Sequence, residues 1–157
     1  MGEGVSEGRG FYISPPRLAT TNFVVLFLIA LFKSELVLSI WRMALFVIGL
    51  GLTAAFIYSL FKTYQIPQTR MAPEEVNLLI MYGPFATVRH PNFTGILLMN
   101  IAFFCFFPTI WLLPFIFLFS VVWHHEAKYE ESVLTEKFGE KYKEYMEQTG
   151  MYLPKLE

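Results

Sequence analysis

The sequence contains little cysteine, little histidine and little charge. Its 157 residues include one cysteine and three histidines, and only 16% are charged, against roughly 25% in average globular proteins. The single Cys105 cannot form an internal disulfide, and three histidines are too few for a membrane di-iron centre. A net charge of −1 provides no electrostatic attraction for nucleic acid. We therefore expect neither a metal nor a nucleic-acid partner.

Hydrophobic residues are abundant instead, at 55% of the chain, with aromatic residues at 18%. The first apolar run, 18–32, is shorter than the roughly 20 residues that a membrane span needs. The second run, 36–61, is long enough to cross a bilayer and carries Trp41 and Tyr58 near its ends as interfacial anchors. This pattern predicts an integral membrane protein surrounded by membrane lipids.

A polar segment, 62–95, separates these runs from a third apolar run, 96–123. Pro108 and Pro114 interrupt this third run, which favours two short helices that turn near Pro108–Thr109. From His124 onward, charged residues at helical spacing predict a surface helix that extends to about Gln148. We therefore expect an all-α polytopic membrane protein with about four transmembrane helices and a C-terminal cytosolic surface helix.

Four crossings would place both termini on the same side of the membrane. Ten of the twelve Lys and Arg residues would then lie on that side: Arg9, Arg17, Lys62, Arg70, Arg89, Lys128, Lys137, Lys141, Lys143 and Lys155. Only Lys33 and Arg42 would lie near the other side. Because cytoplasmic loops carry an excess of Lys and Arg, we predict that both termini and the two polar clusters described next are cytoplasmic.

The first polar cluster is Arg89-His90-Pro91, which follows the turn residues Gly83-Pro84 and precedes Gly95. A tight turn, hydrogen-bond donors and a helix N-terminus together suit an anionic group. A second interpretation is an interfacial Arg and His that extend to lipid headgroups while Pro91 begins a helix. The residues alone leave both open.

The second polar cluster begins with the adjacent carboxylates Glu130 and Glu131. Carboxylates at this place could bind an ammonium group or ribose hydroxyls. They also fit an amphipathic helix whose buried face carries Leu134, Phe138 and Tyr145.

A dinucleotide-type fingerprint, Gly49-x-Gly51-x-x-Ala54, lies in the middle of the second apolar run. That fingerprint requires a preceding strand and a following helix. We interpret these small residues as helix-packing positions instead.

Together the two polar clusters resemble a known family. The segments Gly83-Pro84-Phe85, Arg89-His90-Pro91-x-Phe93-x-Gly95 and Glu130-Glu131-x-x-Leu134-x-x-x-Phe138-Gly139-x-x-Tyr142-x-x-Tyr145, followed by Pro154, are similar in order and spacing to the isoprenylcysteine carboxyl methyltransferase and phospholipid methyltransferase superfamily. The resemblance extends over residues 82–154, and the upstream helices match only in being hydrophobic.

The resemblance implies an integral membrane methyltransferase that uses S-adenosylmethionine at the cytosolic membrane face. Its acceptor would be lipid-like or a small amphiphile that carries a carboxylate, an amine or a thiol. The implied organisation is a disordered or interfacial tail at 1–17, two transmembrane helices at 18–61 and a cofactor-binding catalytic half at 62–157.

The resemblance also implies a set of site residues. The cofactor would be bound by Tyr82, Gly83, Pro84, Phe85, His90, Pro91, Phe93, Gly95, Glu130 and Glu131. Arg89 would orient an anion of the substrate or the carboxylate of the cofactor. His90, or alternatively His124, would accept the proton of an amine acceptor. Phe85 and Phe93 would form an aromatic wall near the sulfonium.

Two positions depart from the family pattern. Phe93 stands where the family commonly has Tyr, and Glu126 stands where the prenylcysteine enzymes have an Arg. The loss of that cation disfavours a prenylcysteine substrate and favours an amine, a thiol or a phospholipid headgroup. Two other functions remain open, namely an NADPH-dependent oxidoreductase of the sterol-reductase type and a non-catalytic membrane scaffold.

Overall fold

The computed structural model of the chain describes residues 14–35 and 39–155, and this part contains five α-helices. They are α1 (Pro15–Lys33), α2 (Ile40–Tyr64), α3 (Pro91–Phe106), α4 (Leu112–Phe138) and α5 (Glu140–Gln148), with short 3-10 turns at Pro67–Arg70, Pro73–Glu75 and Gly83–Ala86. No β-strand occurs in these ranges, so the all-α prediction is confirmed for them. Residues 1–13 of the tail predicted at 1–17, and Leu36 at the predicted start of the second run, lie outside the described residues.

Three helical segments are long and apolar enough to cross a membrane: Pro15–Lys33, Ile40–Tyr64 and Ile110–Phe138. The first begins earlier than predicted because two prolines occupy its first positions, where proline is favourable. Residues 15–17 therefore belong to a helix and not to a tail. The fourth predicted span, α3, has 16 residues and is about 24 Å long, which is shorter than a typical hydrocarbon core of about 30 Å.

Most of α2 presents apolar side chains outward. Ile40 and Trp41 are 78% and 79% exposed, and only Gly49 and Thr63 of this helix are buried. An apolar helix with so little protein cover is typical of one surrounded by lipid. Its main protein neighbour is α3, which packs on α1 and α4 as well and is therefore the central helix.

The apolar run at 96–123 forms a helical hairpin, as predicted. Helix α3 ends at Phe106, and Phe107 leaves the helical conformation, with φ −129° and ψ 72°, because the α region is disfavoured for the residue before Pro108. Phe93, at the start of α3, contacts Trp123 of α4 with 4.9 Å between ring centroids. The two helices are therefore antiparallel, and the polar clusters at 89–91 and 130–131 meet at one end of the bundle.

The helix boundary predicted at His124 is not observed. Helix α4 continues from the apolar segment through the charged residues to Phe138, since no proline or glycine intervenes. It ends at Gly139, whose φ of +55° is costly for any residue with a side chain. The predicted surface helix is thus the charged second half of α4 followed by the separate helix α5.

Glycines allow close packing of α2 against α3. A Cβ at Gly49 would lie 2.7 Å from the ring of Phe106, and a Cβ at Gly95 would lie 3.2 Å from Phe56 and 3.3 Å from Ser59 Cβ. The interpretation as a packing residue is confirmed for Gly49 but is wrong for Gly51, where no atom lies within 4 Å of a built Cβ.

Two apolar clusters position the functional end. The first contains Leu18, Phe93, Ile96, Phe119, Trp123 and Ala127, and joins α1, α3 and α4. The second contains Leu79, Tyr142 and Tyr145, with Leu134, Phe138 and Met146 packed around them. Leu134, Phe138 and Tyr145 therefore lie on the inner face of their helices, as predicted.

Candidate functional site

A cavity of about 620 Å³ lies where α1 begins, α2 ends, α3 begins and the charged half of α4 passes. The loop at 65–82 forms part of its wall. Its lining is mixed: apolar residues such as Leu60, Ile96 and Leu134 alternate with the charged residues Arg70 and Glu130. This volume lies within the range that holds a drug-sized ligand.

The predicted site residues divide into two groups. Phe85, Arg89, His90, Pro91, Phe93 and Glu130 line the cavity. Tyr82, Gly83, Pro84, Gly95 and Glu131 do not. Tyr82 is 57% exposed, and Gly95 faces α2. The Gly83-Pro84 turn is built as predicted, with a φ of +63° at Gly83.

His90 lies at the N-terminus of α3 between the two glutamates of α4. Its Nδ1 is 3.4 Å from Oε2 of Glu130, and its Nε2 is 3.4 Å from Oε1 of Glu131. Phe93 stacks on the imidazole at 5.3 Å. Burial lowers the pKa of His90, but the two carboxylates outweigh burial and raise it above the ordinary value. Between two carboxylates the ring is best placed as a protonated cation, and its buried Nε2 makes no hydrogen bond within the described residues.

Glu131 holds the cationic side chains in place. Its Oε1 accepts a hydrogen bond from Arg89 Nε at 2.7 Å, and its Oε2 accepts one from Lys128 Nζ at 3.3 Å. Glu131 lies beyond the apolar segment of α4. Burial raises its pKa, but His90 and Arg89 outweigh burial and lower the pKa to about 2. The carboxylate is therefore ionised at neutral pH and committed to protein partners.

Arg89 also binds the C-terminal segment. Its Nη1 donates to the carbonyl oxygens of Met146, at 3.1 Å, and of Thr149. Three of its five N–H groups are thus used within the protein. Only Nη2 of Arg89 therefore remains to orient an anion of the substrate or the carboxylate of the cofactor, which is the role predicted for this residue.

Backbone hydrogen bonds to the same C-terminal segment also hold Arg89 and His90 in place. Arg89 N donates to Gly150 O at 2.9 Å, and His90 N donates to Met151 O at 3.1 Å. Two stretches separated by about 60 residues are therefore held side by side, and His90 is positioned by its main chain as well as its side chain.

Tyrosines of α5 close the cavity. Tyr145 donates its hydroxyl to Phe85 O at 2.7 Å, and burial raises its pKa to about 12. Tyr142 is almost fully buried, and burial also raises its pKa. Their spacing of three within the second motif is the sequence signal for this position, whereas helix periodicity predicts only that Tyr145 is buried.

Several other lining residues were not predicted as site residues. Pro15, Pro16 and Ala19 come from α1, Leu60 and Tyr64 from α2, and Gln68 and Arg70 from the following loop. The loop has no regular hydrophobic periodicity, so nothing in the sequence identified its inner face. Glu126, the departure from the family pattern, is buried and does not line the cavity.

Within the described ranges, no group of three or more His, Cys, Asp or Glu side chains is placed to hold a metal ion. Comparison of the chain with family models, curated proteins and solved structures finds no match. The functional assignment therefore depends on the two motifs and on the geometry of the cavity.

Proposed function

We propose that this chain is an integral membrane methyltransferase that uses S-adenosylmethionine and acts on a lipid-like or small amphiphilic acceptor at the cytosolic membrane face. The observation that carries the proposal is the meeting of His90 and Glu130 at one cavity, 3.4 Å apart. They come from two separate motifs of the sequence, some 40 residues apart.

The groups at the cavity fit the proposed cofactor. Glu130 lines the cavity with its side chain 23% exposed, so its carboxylate can accept hydrogen bonds from an ammonium group or from ribose hydroxyls. Phe85 and Phe93 provide apolar walls. When bound, the cofactor would supply a methyl group on a positive sulfur, for which a dry aromatic surface is more suitable than a direct carboxylate contact.

The buried charges act by positioning. Glu131, Arg89 and the C-terminal carbonyls hold His90, and His90 in turn faces the carboxylate of Glu130. Because positioning supplies much of the rate enhancement in a displacement reaction, a rigid support for Glu130 fits the proposed chemistry. The raised pKa of His90 makes it a hydrogen-bond donor more readily than a general base.

The apolar part of the lining supports an amphiphilic acceptor. Pro15, Pro16 and Ala19 of α1 and Leu60 of α2 bring membrane-facing helices to the same cavity as Glu130. An acceptor with a hydrocarbon tail could bury that tail here at a gain of about 25 cal/mol per Å².

A thermal-shift titration in a neutral detergent tests the proposal. S-adenosylmethionine should raise the melting temperature saturably, since a ligand that binds only the folded state stabilises it, and NADPH should not. Glu130→Gln should abolish the shift, whereas Glu136→Gln, an exposed position on the same helix, should retain it. Stabilisation by NADPH alone would indicate the oxidoreductase, and no shift with either cofactor would indicate the scaffold.

A further inference from the structure

A third cationic side chain, Arg70, lines the cavity besides Arg89 and His90. Arg70 ends the 3-10 turn Pro67–Arg70 that follows α2, and it lines the cavity together with Arg89, His90 and Glu130. Of the three cationic side chains on the wall, Arg89 and His90 are both engaged by carboxylates. Arg70 has no ion pair with any residue in the described ranges.

The guanidinium of Arg70 is nevertheless held in one place. Its Nη2 donates to Tyr64 O at 2.7 Å, and its Cζ lies 5.0 Å from the centroid of the Tyr64 ring. One hydrogen bond and one cation–π contact hold the exposed group against Tyr64 while leaving most of its five donors available. A planar group with free adjacent donors is suited to binding a carboxylate or a phosphate through two parallel hydrogen bonds.

Neighbouring residues make this part of the wall amphipathic. Gln68, two residues earlier, also lines the cavity, and its Oε1 is buried without a hydrogen-bond partner in the described part of the chain. Leu60 and Ala19 provide apolar lining. Because Gln68 Oε1 is an acceptor, it would take a donor group of the ligand such as a hydroxyl, while Arg70 would take the oxyanion and the apolar lining a hydrocarbon chain.

We propose that Arg70 is a specificity-determining residue that binds the anionic group of an amphiphilic acceptor, a phosphate or a carboxylate attached to an apolar chain. Calling this ligand the methyl acceptor rests on the proposed function. Binding of the anion at Arg70 does not itself require the cofactor. It places the anion contact on the loop after α2 and not on Arg89, whose donors are largely committed to Glu131 and the C-terminal segment.

Lys62 is a matched control for Arg70. It lies near the same end of α2, is exposed and has its Nζ 5.7 Å from the ring of Tyr58. It therefore carries the same charge in a similar cation–π environment, but it does not line the cavity.

The test measures binding of decyl phosphate, decanoate and decyltrimethylammonium to the full-length protein in a neutral detergent, without cofactor, by isothermal titration calorimetry. We expect saturable binding of at least one of the two anions and none of the ammonium compound. Arg70→Gln should weaken anion binding about tenfold, in line with a lost charge-assisted hydrogen bond. Arg70→Lys should lose less, and Lys62→Gln should bind as the wild type does.

Unchanged binding to Arg70→Gln, an equal loss in Lys62→Gln, or binding of the ammonium compound as tight as that of the anions would overturn the proposal. A preference between decyl phosphate and decanoate identifies the oxyanion. Melting temperatures without ligand show whether each variant is folded, and Arg70→Lys keeps the charge if Arg70→Gln unfolds.

The same samples separate this inference from the proposed function. Arg70-dependent anion binding without any binding of S-adenosylmethionine would remove the methyltransferase and leave the anion site. Binding of S-adenosylmethionine without Arg70-dependent anion binding would exclude the anion site and leave the methyltransferase proposal standing.

Discussion

Charged side chains at the site form one connected network. Lys128 and Arg89 contact Glu131, Glu131 lies against His90, and His90 faces Glu130. Only the last of these carboxylates lines the cavity. The network therefore neutralises its buried charges internally and leaves Glu130 as the acidic group that a ligand can contact.

The stabilisation that His90 provides should depend on pH. Because its folded pKa is raised, its contribution is fully present below the unfolded value of about 6.5 and is lost as pH rises through the folded value. We expect His90→Gln to lower stability by on the order of 2 kcal/mol at pH 6 and by less at pH 9, as measured by thermal unfolding in detergent.

Both pH values lie well above the pKa of Glu131, about 2, so that group stays ionised throughout. His125→Gln serves as the control because His125 is exposed, and it should change the melting temperature little. Equal losses of stability for His90→Gln at the two pH values would contradict the assigned environment of His90.

The sequence motifs identified Glu130 and His90 but not the different orientations of neighbouring residues. Adjacent residues on a helix point about 100° apart, and here Glu130 lines the cavity while Glu131 turns toward Arg89 and His90. Gly95 belongs to the same motif, yet its missing side chain accommodates Phe56 and Ser59 of α2. A linear pattern shows which residues recur together and not which of them a ligand would touch.

Among the helices, the closest packing is that of α2 on α3. It depends on glycine at Gly49, where the Phe106 ring occupies the space that a side chain would need. Gly51, two residues along, has no atom within 4 Å of a built Cβ. The two glycines therefore lie on different faces of α2, one toward protein and one toward the surroundings.

This difference predicts opposite results for the same substitution. Gly49→Leu should lower the free energy of unfolding by about 1–3 kcal/mol through overpacking. Gly51→Leu should leave it unchanged or slightly higher because leucine is the better helix former. Thermal unfolding in detergent micelles measures both, and equal effects would show that α2 does not pack on α3 through Gly49.

Proline and hydrophobicity were sufficient to predict the α3–α4 hairpin, but the loop between α2 and α3 was not predictable. Its turns are held by tertiary contacts, in which Tyr129 donates to Glu74 at 2.6 Å and Lys137 donates to Glu74 O at 2.8 Å. These partners are more than 50 residues apart, and neither local propensity nor periodicity indicates them. Arg70 was overlooked as a site residue for the same reason.

For the molecule as a whole, the two ends of the bundle differ in character. One end has the cavity and most of the charged residues. At the other end, Lys33 of α1 lies 5.4 Å from the ring of Trp111 in the α3–α4 turn. Under the positive-inside rule, an apolar middle between a highly charged end and an aromatic end predicts that the charged end is cytoplasmic.

Cysteine labelling in oriented membrane vesicles tests this orientation. In a Cys105→Ala background, Ser132→Cys should react with an impermeant maleimide only from the cytoplasmic side, and Ile110→Cys only from the opposite side. Both positions are exposed. Labelling of both from the same side would contradict the membrane-spanning hairpin, and the reversed pattern would contradict the cytoplasmic location of the cavity.

The most direct test of the central claim is a calorimetric titration of S-adenosylmethionine into the purified wild-type protein and its Glu130→Gln and Glu136→Gln variants. We predict one saturable site in the wild type, the same site in Glu136→Gln, and loss of heat in Glu130→Gln, with a cooperative melting transition that shows the variant to be folded. Absence of binding to the wild type, or equal binding to all three proteins, would contradict it.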